Sequence, residues 1–219
     1  MLANGRNSFI KKQMSVSQKG NPSDLPAPSA GNVLLDRLAG AELHLCDHQG
    51  YKDRHGRMAA IAATIRAQGG VPYVIPEGGS NGLGSLGYVA CMEELQRQWG
   101  DEEPTSIVVA TGSGGTLAGL ALGKRSLGLD ISILGIAVCD DEAYFRAIAM
   151  GIGEEARERW EFPPIEPTDF QVIDRYKGVG YALSQPHELE RLVAVSREDG
   201  LVLDPVYTGK AWVALEGLC

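Results

Sequence analysis

The sequence has no C-x-x-C pair: its four cysteines, Cys46, Cys91, Cys139 and Cys219, stand far apart. That spacing argues against a zinc ribbon or a redox motif and fits separate thiols in a reducing compartment, the cytoplasm or an organelle interior. No apolar run approaches the roughly 18 residues that a membrane-spanning helix needs, which argues against an integral membrane protein. Basic residues are in the minority, 20 Lys plus Arg against 28 Asp plus Glu, and the net charge of -8 disfavours a broad nucleic-acid surface. A small anion is still admissible as ligand, because a local group of backbone N–H donors does not need a basic protein. No internal repeat at solenoid spacing is present.

What the chain does have is length and apolar content. Its 219 residues, 44% hydrophobic, fill one good-sized globular domain or two small ones. Residues 1–30 read as a leader and linker, disordered or foreign to the domain. Arg6, Lys11, Lys12 and Lys19 occur with no acid before residue 20, loosely like a transit peptide, and "NPSDLPAPSAGN" follows with linker chemistry.

From residue 31 to the end the pattern is that of an α/β fold with a largely parallel twisted sheet and flanking helices. The expected elements are a short helix in "NVLLDRLAG", a strand in "ELHLC", a helix over about 51–68, and a strand in "VPYVI". A helix over about 85–99, the strand "SIVVA", a helix to about 123 and the strand "ISILGIAV" come next. A helix over about 144–159 then leads through the proline-rich "EFPPIEPTDF" to "QVID", a helix from near 187 and a final helix after "LDPVY". His44, Cys46 and His48 alternate as metal ligands could, but alternation along a strand explains them more simply.

The stretch with chemistry is "VVATGSGGTLAG", where a strand runs into a glycine-rich turn and then a helix. Such a turn presents successive N–H groups at a helix N-terminus, where the partial positive charge favours a phosphate. Gly112, Gly114 and Gly115 permit close approach, and Ser113 and Thr116 add hydroxyls. A tight turn with no ligand is the alternative. The nucleotide P-loop is rejected, because "GLALGKR" is one residue short and lacks the hydroxyl that holds magnesium. A dinucleotide fingerprint begins at Gly112 and Gly114 but has Leu117 in place of its third glycine; Asp140 or Asp141 could then serve a ribose.

Three blocks in order, "YVIPEGGSNGLGSLGYV", "ATGSGGTLAGLALG" and "GLVLDPVYTGKA", make the chain resemble a known family. It is that of the D-cysteine desulfhydrases and 1-aminocyclopropane-1-carboxylate deaminases, fold type II pyridoxal-phosphate enzymes related to the tryptophan synthase β-subunit. "VCDDEAYF" and "KGVGYAL" resemble the desulfhydrase branch. The resemblance spans about residues 31–217.

It implies that Thr111, Gly112, Ser113, Gly114, Gly115 and Thr116 cup the phosphate of pyridoxal 5'-phosphate, and that Tyr207 and Tyr181 are active-site tyrosines. From the residues alone, a tyrosine beside a glycine-rich turn is equally a core residue with a satisfied hydroxyl. The "GGSN" turn matches a family turn near the cleft, although turn chemistry alone accounts for it. The family's Schiff-base lysine lies in a G-N-K-x-R-K block, followed by an S-N-H block, and this sequence contains neither; Lys210 matches a different family lysine.

The expectation is therefore an incomplete enzyme fold with its phosphate loop intact. In the full family the substrate is a small amino acid, the reaction D-cysteine elimination or aminocyclopropane-carboxylate ring opening, and the assembly a homodimer. A non-catalytic anion-binding or subunit-interaction module is the rival reading, and a dinucleotide-binding enzyme the third.

Overall fold

In the computed structural model the described residues are 12–16, 31–100 and 102–219. They fall into two compact units, Met1–Val74 and Ile75–Cys219.

In the first unit, strand β1 (Lys12–Val16) pairs in parallel with β2 (Glu42–Cys46), Lys12 opposite Glu42 and Val16 opposite Cys46. A strand thus occupies part of the segment expected as a leader; the rest of residues 1–30 lies outside the described residues. Helix α1 (Gly31–Leu38) precedes β2. The helix expected over 51–68 is two helices, α2 (His48–Lys52) and α3 (Arg54–Ala67), parted at Asp53 (φ -93°, ψ 25°). Asp47 caps α2 by accepting the Gly50 N–H at 2.7 Å, which starts the helical chain earlier than apolar spacing alone indicates.

The stretch expected as the strand "VPYVI" forms none. Val71, Tyr73 and Ile75 are exposed, and they join no ladder among the described residues. β-Propensity misleads there, because Pro72 and Pro76 supply no N–H to a ladder.

The second unit carries a three-stranded parallel sheet ordered β3 (Ser106–Thr111), β4 (Ser132–Ala137), β5 (Gln171–Ile173), with Thr111 opposite Ala137 and Gly135 opposite Val172. Its helices are α4 (Gly82–Trp99), α5 (Gly115–Leu127), α6 (Glu142–Arg157), α7 (Pro186–Glu198) and α8 (Thr208–Leu218). The core joins α4, α5, α6 and the sheet through Met92, Leu117, Leu122, Ile133, Phe145 and Phe170, each essentially inaccessible. Helix α5 is buried along most of its length, as an apolar helix without a polar face must be.

The glycines of "GLALG", read against a nucleotide loop in the sequence, serve packing. A Cβ on Gly119 would lie 2.4 Å from the Ser85 carbonyl oxygen, and one on Gly123 2.7 Å from Met92 Cβ. They let α4 approach α5 more closely than side chains would allow. Among the described residues, no helix is long and apolar enough to cross a membrane.

Candidate active site

Strand β3 delivers the glycine-rich turn to the N-terminus of α5. Thr111 ends the strand with its side chain buried beneath the turn. Its Oγ1 has no hydrogen-bond partner and lies where a Cβ on Gly135 would come within 2.8 Å. Gly114 caps α5 in the left-handed region (φ 83°, ψ -17°), which disfavours any side chain, and its carbonyl accepts the Ala118 N–H at 2.9 Å. Ser113 and Thr116 are half-buried, with Gly112 between them and the strand.

Each glycine of the turn abuts a neighbour. A Cβ on Gly112 would sit 2.8 Å from the Tyr207 ring, one on Gly114 2.6 Å from Ile148 Cγ2, and one on Gly115 2.6 Å from Ser80 Oγ. Ser80, from the "GGSN" turn, donates to Ser113 Oγ at 2.7 Å and accepts the Gly115 N–H at 3.2 Å. The turn whose role sequence chemistry left open is therefore seated on the glycine-rich loop. Asn81 of the same turn caps α4, accepting the Gly84 N–H at 2.7 Å.

Both tyrosines reach this place. Tyr207 stands at the N-cap of α8, and Tyr181 on the loop between β5 and α7. Their phenol oxygens are hydrogen-bonded, and both rings keep an exposed edge. Burial, then the Tyr181 hydrogen bond, then the neighbouring Tyr181, Cys139 and Glu77 charges raise the Tyr207 phenol far above its usual range. Tyr207 therefore keeps its proton at neutral pH. Cys139, whose Sγ lies 4.0 Å from the Gly112 carbonyl oxygen, is pushed up to about 11 by burial and then by Asp140.

Two supports were not singled out as site residues by the sequence. The Asp204 carboxylate accepts the N–H groups of Val206, Tyr207 and Thr208 and the Thr208 hydroxyl, fixing the turn that presents Tyr207. Lys210 is buried, its ammonium donating to three main-chain carbonyls. The Asp-Pro pair that opens "DPVYT" is a turn-initiating signal that points to the first; nothing local in the sequence announces the second. Asp141, a ribose candidate for a dinucleotide, instead caps α6 by accepting the Tyr144 N–H at 2.8 Å. Leu117, in place of the third fingerprint glycine, is a core residue.

The donors present fit a phosphate. A helix N-terminus with a glycine turn and the hydroxyls of Ser113 and Thr116 are donors of the kind a phosphate takes; Ser80, bonded to Ser113 and to the Gly115 N–H, buttresses the loop, and a Cβ at Gly112, Gly114 or Gly115 would collide with Tyr207, Ile148 or Ser80. Lys210, with its three carbonyl partners, is not placed as a free amine for covalent attachment of a carbonyl compound.

Comparison with known proteins bears on the family. The family model described as "Pyridoxal-phosphate dependent enzyme" matches residues 19–219. The bifunctional D-cysteine desulfhydrase/1-aminocyclopropane-1-carboxylate deaminase, mitochondrial, of Arabidopsis thaliana is 37% identical over 187 residues, 83% of this chain and 45% of that protein. The D-cysteine desulfhydrase of Yersinia enterocolitica is 38% identical over 186 residues, 84% of this chain and 56% of that protein. A putative 1-aminocyclopropane-1-carboxylate deaminase of Thermotoga maritima is 37% identical over 188 residues, 83% of this chain and 58% of that protein. A crystal structure described as an ACC deaminase homologue superposes with a TM-score of 0.77 at 32% identity, covering 95% of this chain and 61% of the other.

The chain thus spans about half the length of the curated relatives it matches. The family model covers most of the chain, and the chain belongs to the pyridoxal-phosphate-dependent enzyme family, with similarity to proteins named as D-cysteine desulfhydrases and 1-aminocyclopropane-1-carboxylate deaminases.

Proposed function

We propose that this chain supplies the phosphate-binding and tyrosine-bearing part of a D-cysteine desulfhydrase-like site, and that by itself it holds pyridoxal phosphate without covalent attachment and with negligible turnover. The observation that carries the reading is the Tyr207 ring against Gly112, at the N-terminus of α5, with Tyr181 bonded to its hydroxyl. The reaction of the whole protein is D-cysteine plus water giving pyruvate, hydrogen sulfide and ammonia. When bound, the cofactor's ring supplies the electron sink for the carbanion left by loss of the substrate's α-proton.

The residues of this chain bind and protonate. Gly112, Ser113, Gly114, Gly115 and Thr116 hold the phosphate at the helix terminus, with Thr111 beneath them. We assign Tyr207 Oη, which keeps its proton at neutral pH, as the donor to a departing sulfur, with Tyr181 Oη passing it a proton and regaining one from solvent at its exposed edge. No residue here corresponds to the family's attachment lysine, which is why turnover by this chain alone is proposed to be negligible.

The test is titration of the purified chain with pyridoxal phosphate, followed by absorption and by peptide mapping after borohydride. The expected result is binding displaced by inorganic phosphate, no lysine adduct and no sulfide from D-cysteine. Absence of phosphate-competitive binding would sink the cofactor reading; a single mapped lysine adduct or steady sulfide release would sink the claim of inactivity.

Ring opening of aminocyclopropane carboxylate is the second reading, favoured by the names of the Arabidopsis and Thermotoga relatives. The two separate by which amino acid, D-cysteine or aminocyclopropane carboxylate, perturbs the spectrum of the bound cofactor. We further propose that the whole protein pairs as a homodimer in a reducing compartment, the cytoplasm or an organelle interior; Cys91, Cys139 and Cys219 are free thiols. Light scattering of the whole protein tests the pairing, a monomer overturning it.

A further inference from the structure

The buried ammonium of Lys210 joins three separate segments that carry the candidate site. Lys210 lies in the first turn of α8, three residues after Tyr207, with its side chain 2% exposed. Its Nζ donates to the carbonyl oxygens of Lys177 at 2.7 Å and Gly180 at 2.8 Å, on the loop carrying Tyr181, and to that of Val138 at 3.3 Å, just after β4. A Cβ on Gly112 would lie 3.3 Å from Val138 Cγ2, so the third anchor adjoins the glycine loop. An ammonium has three N–H donors, and here each has a carbonyl partner.

A buried cation is costly unless its bonds are complete, so the arrangement is rigid: moving the loop away leaves a charge uncompensated. The geometry points to Lys210 as the positioning residue of the Tyr181–Tyr207 pair, holding the loop of one tyrosine against the helix of the other through main-chain carbonyls. Burial pushes the Lys210 amine below its usual range, and the nearby Glu188 and Cys139 oppose that shift only in part; Glu188 Oε2 also accepts the Gln185 N–H, tying the start of α7 to the same cluster. The relevance of this device to catalysis rests on the proposed cofactor site; the positioning itself does not.

The experiment reads the hydroxyl proton shared by Tyr181 and Tyr207 as a far-downfield proton resonance in the full chain without cofactor, assigned by its loss in Tyr181→Phe. In Lys210→Met that resonance is expected to vanish while circular dichroism keeps the parent's helix content. In Lys210→Ala it is expected to return when methylammonium is added to occupy the carbonyl cage. Persistence of the resonance in folded Lys210→Met, or its absence from the unaltered chain, overturns the proposal.

Should Lys210→Met fail to fold, nitrogen-15 spectra of the unaltered chain decide. Couplings from Lys210 Nζ to the Lys177 and Gly180 carbonyl carbons are expected, and a rapidly exchanging, uncoupled amine overturns the assignment. Failure here is distinguishable from failure of the cofactor reading, because none of these measurements involves pyridoxal phosphate.

Discussion

The phenol oxygens of Tyr181 and Tyr207 stand 2.5 Å apart, with the two rings edge-on at 74° and their centroids separated by 5.9 Å. At that distance one hydroxyl must donate and the other accept, so once Tyr181 has lost its proton, ionising Tyr207 would set two phenolates side by side. This adds to burial in holding the Tyr207 phenol protonated. In Tyr181→Phe the Tyr207 titration is expected to fall back toward the usual phenol value of about 10. Alkaline difference absorption measures it, with Tyr207→Phe assigning the signal. An unchanged high-pH step in Tyr181→Phe would show that burial alone sets it.

Gly112→Ala tests the same contact from the loop side. The new methyl would stand 2.8 Å from Tyr207 Cε1 and 3.3 Å from Val138 Cγ2, so the ring must yield. Overpacking of this kind costs about 1–3 kcal/mol. Pyridoxal-phosphate affinity is expected to drop about tenfold or more, equivalent to about 1.4 kcal/mol. Isothermal titration of the variant against the parent reads it, and parent-like affinity would mean that the Gly112–Tyr207 contact does not shape the site.

Gly151→Ala is the opposite case. Gly151 lies inside α6 with a negative φ and nothing within 4 Å of a built Cβ, so the methyl meets only open space. Alanine gains up to about 1 kcal/mol over glycine in a helix interior, part of it by restricting the unfolded chain. Urea denaturation is expected to show a higher midpoint at unchanged slope. A lower midpoint would indicate that α6 is strained at this turn.

These glycines show what could be read from the sequence. The alternation of strands and helices gave β2, β3, β4 and β5 and every helix of the second unit to within a few residues, because each has a period or a cap of its own: Asn81, Asp141 and Pro186 mark helix starts. "VPYVI" failed because residue preference is no substitute for a ladder partner. At the site, the glycine loop was legible since a left-handed Gly114 and the close neighbours of Gly112 and Gly115 call for glycine there. The seating of Ser80 on Ser113, 33 residues away, and the carbonyl cage of Lys210 were not, since each depends on contacts between segments distant in sequence.

Cys139 is expected to be the slow thiol of the second unit. Held at about 11, it carries on the order of one thiolate in a thousand at pH 8, against about one in four for an ordinary cysteine. Cys219 is exposed at the end of α8. Iodoacetamide labelling followed by mass spectrometry should modify Cys219 well before Cys139, with Cys139 accelerating steeply as pH rises toward 11. Equal rates at pH 8 would contradict the environment assigned to Cys139.

Asp204 gives the pH-dependent prediction. Desolvation pushes its carboxyl upward, but the Thr208 hydroxyl and the N–H groups of Thr208, Tyr207 and Val206 outweigh it, and the net shift is downward. A carboxylate held below its unfolded value stabilises the fold at pH above that value, about 3.9, and the contribution disappears as pH falls through the lower folded value. Asp204→Asn removes the charge and one acceptor from the turn carrying Tyr207, at a cost of about 1 kcal/mol at neutral pH, the usual net size of a side-chain hydrogen bond. The gap in urea midpoint between parent and Asp204→Asn should therefore narrow on acidification below about pH 4. A gap constant from neutral to acid pH would mean that Asp204 acts through shape rather than charge. A gap that narrows while pyridoxal-phosphate affinity also weakens at neutral pH would tie the Asp204 turn before α8 to the placement of Tyr207, whose N–H Asp204 accepts.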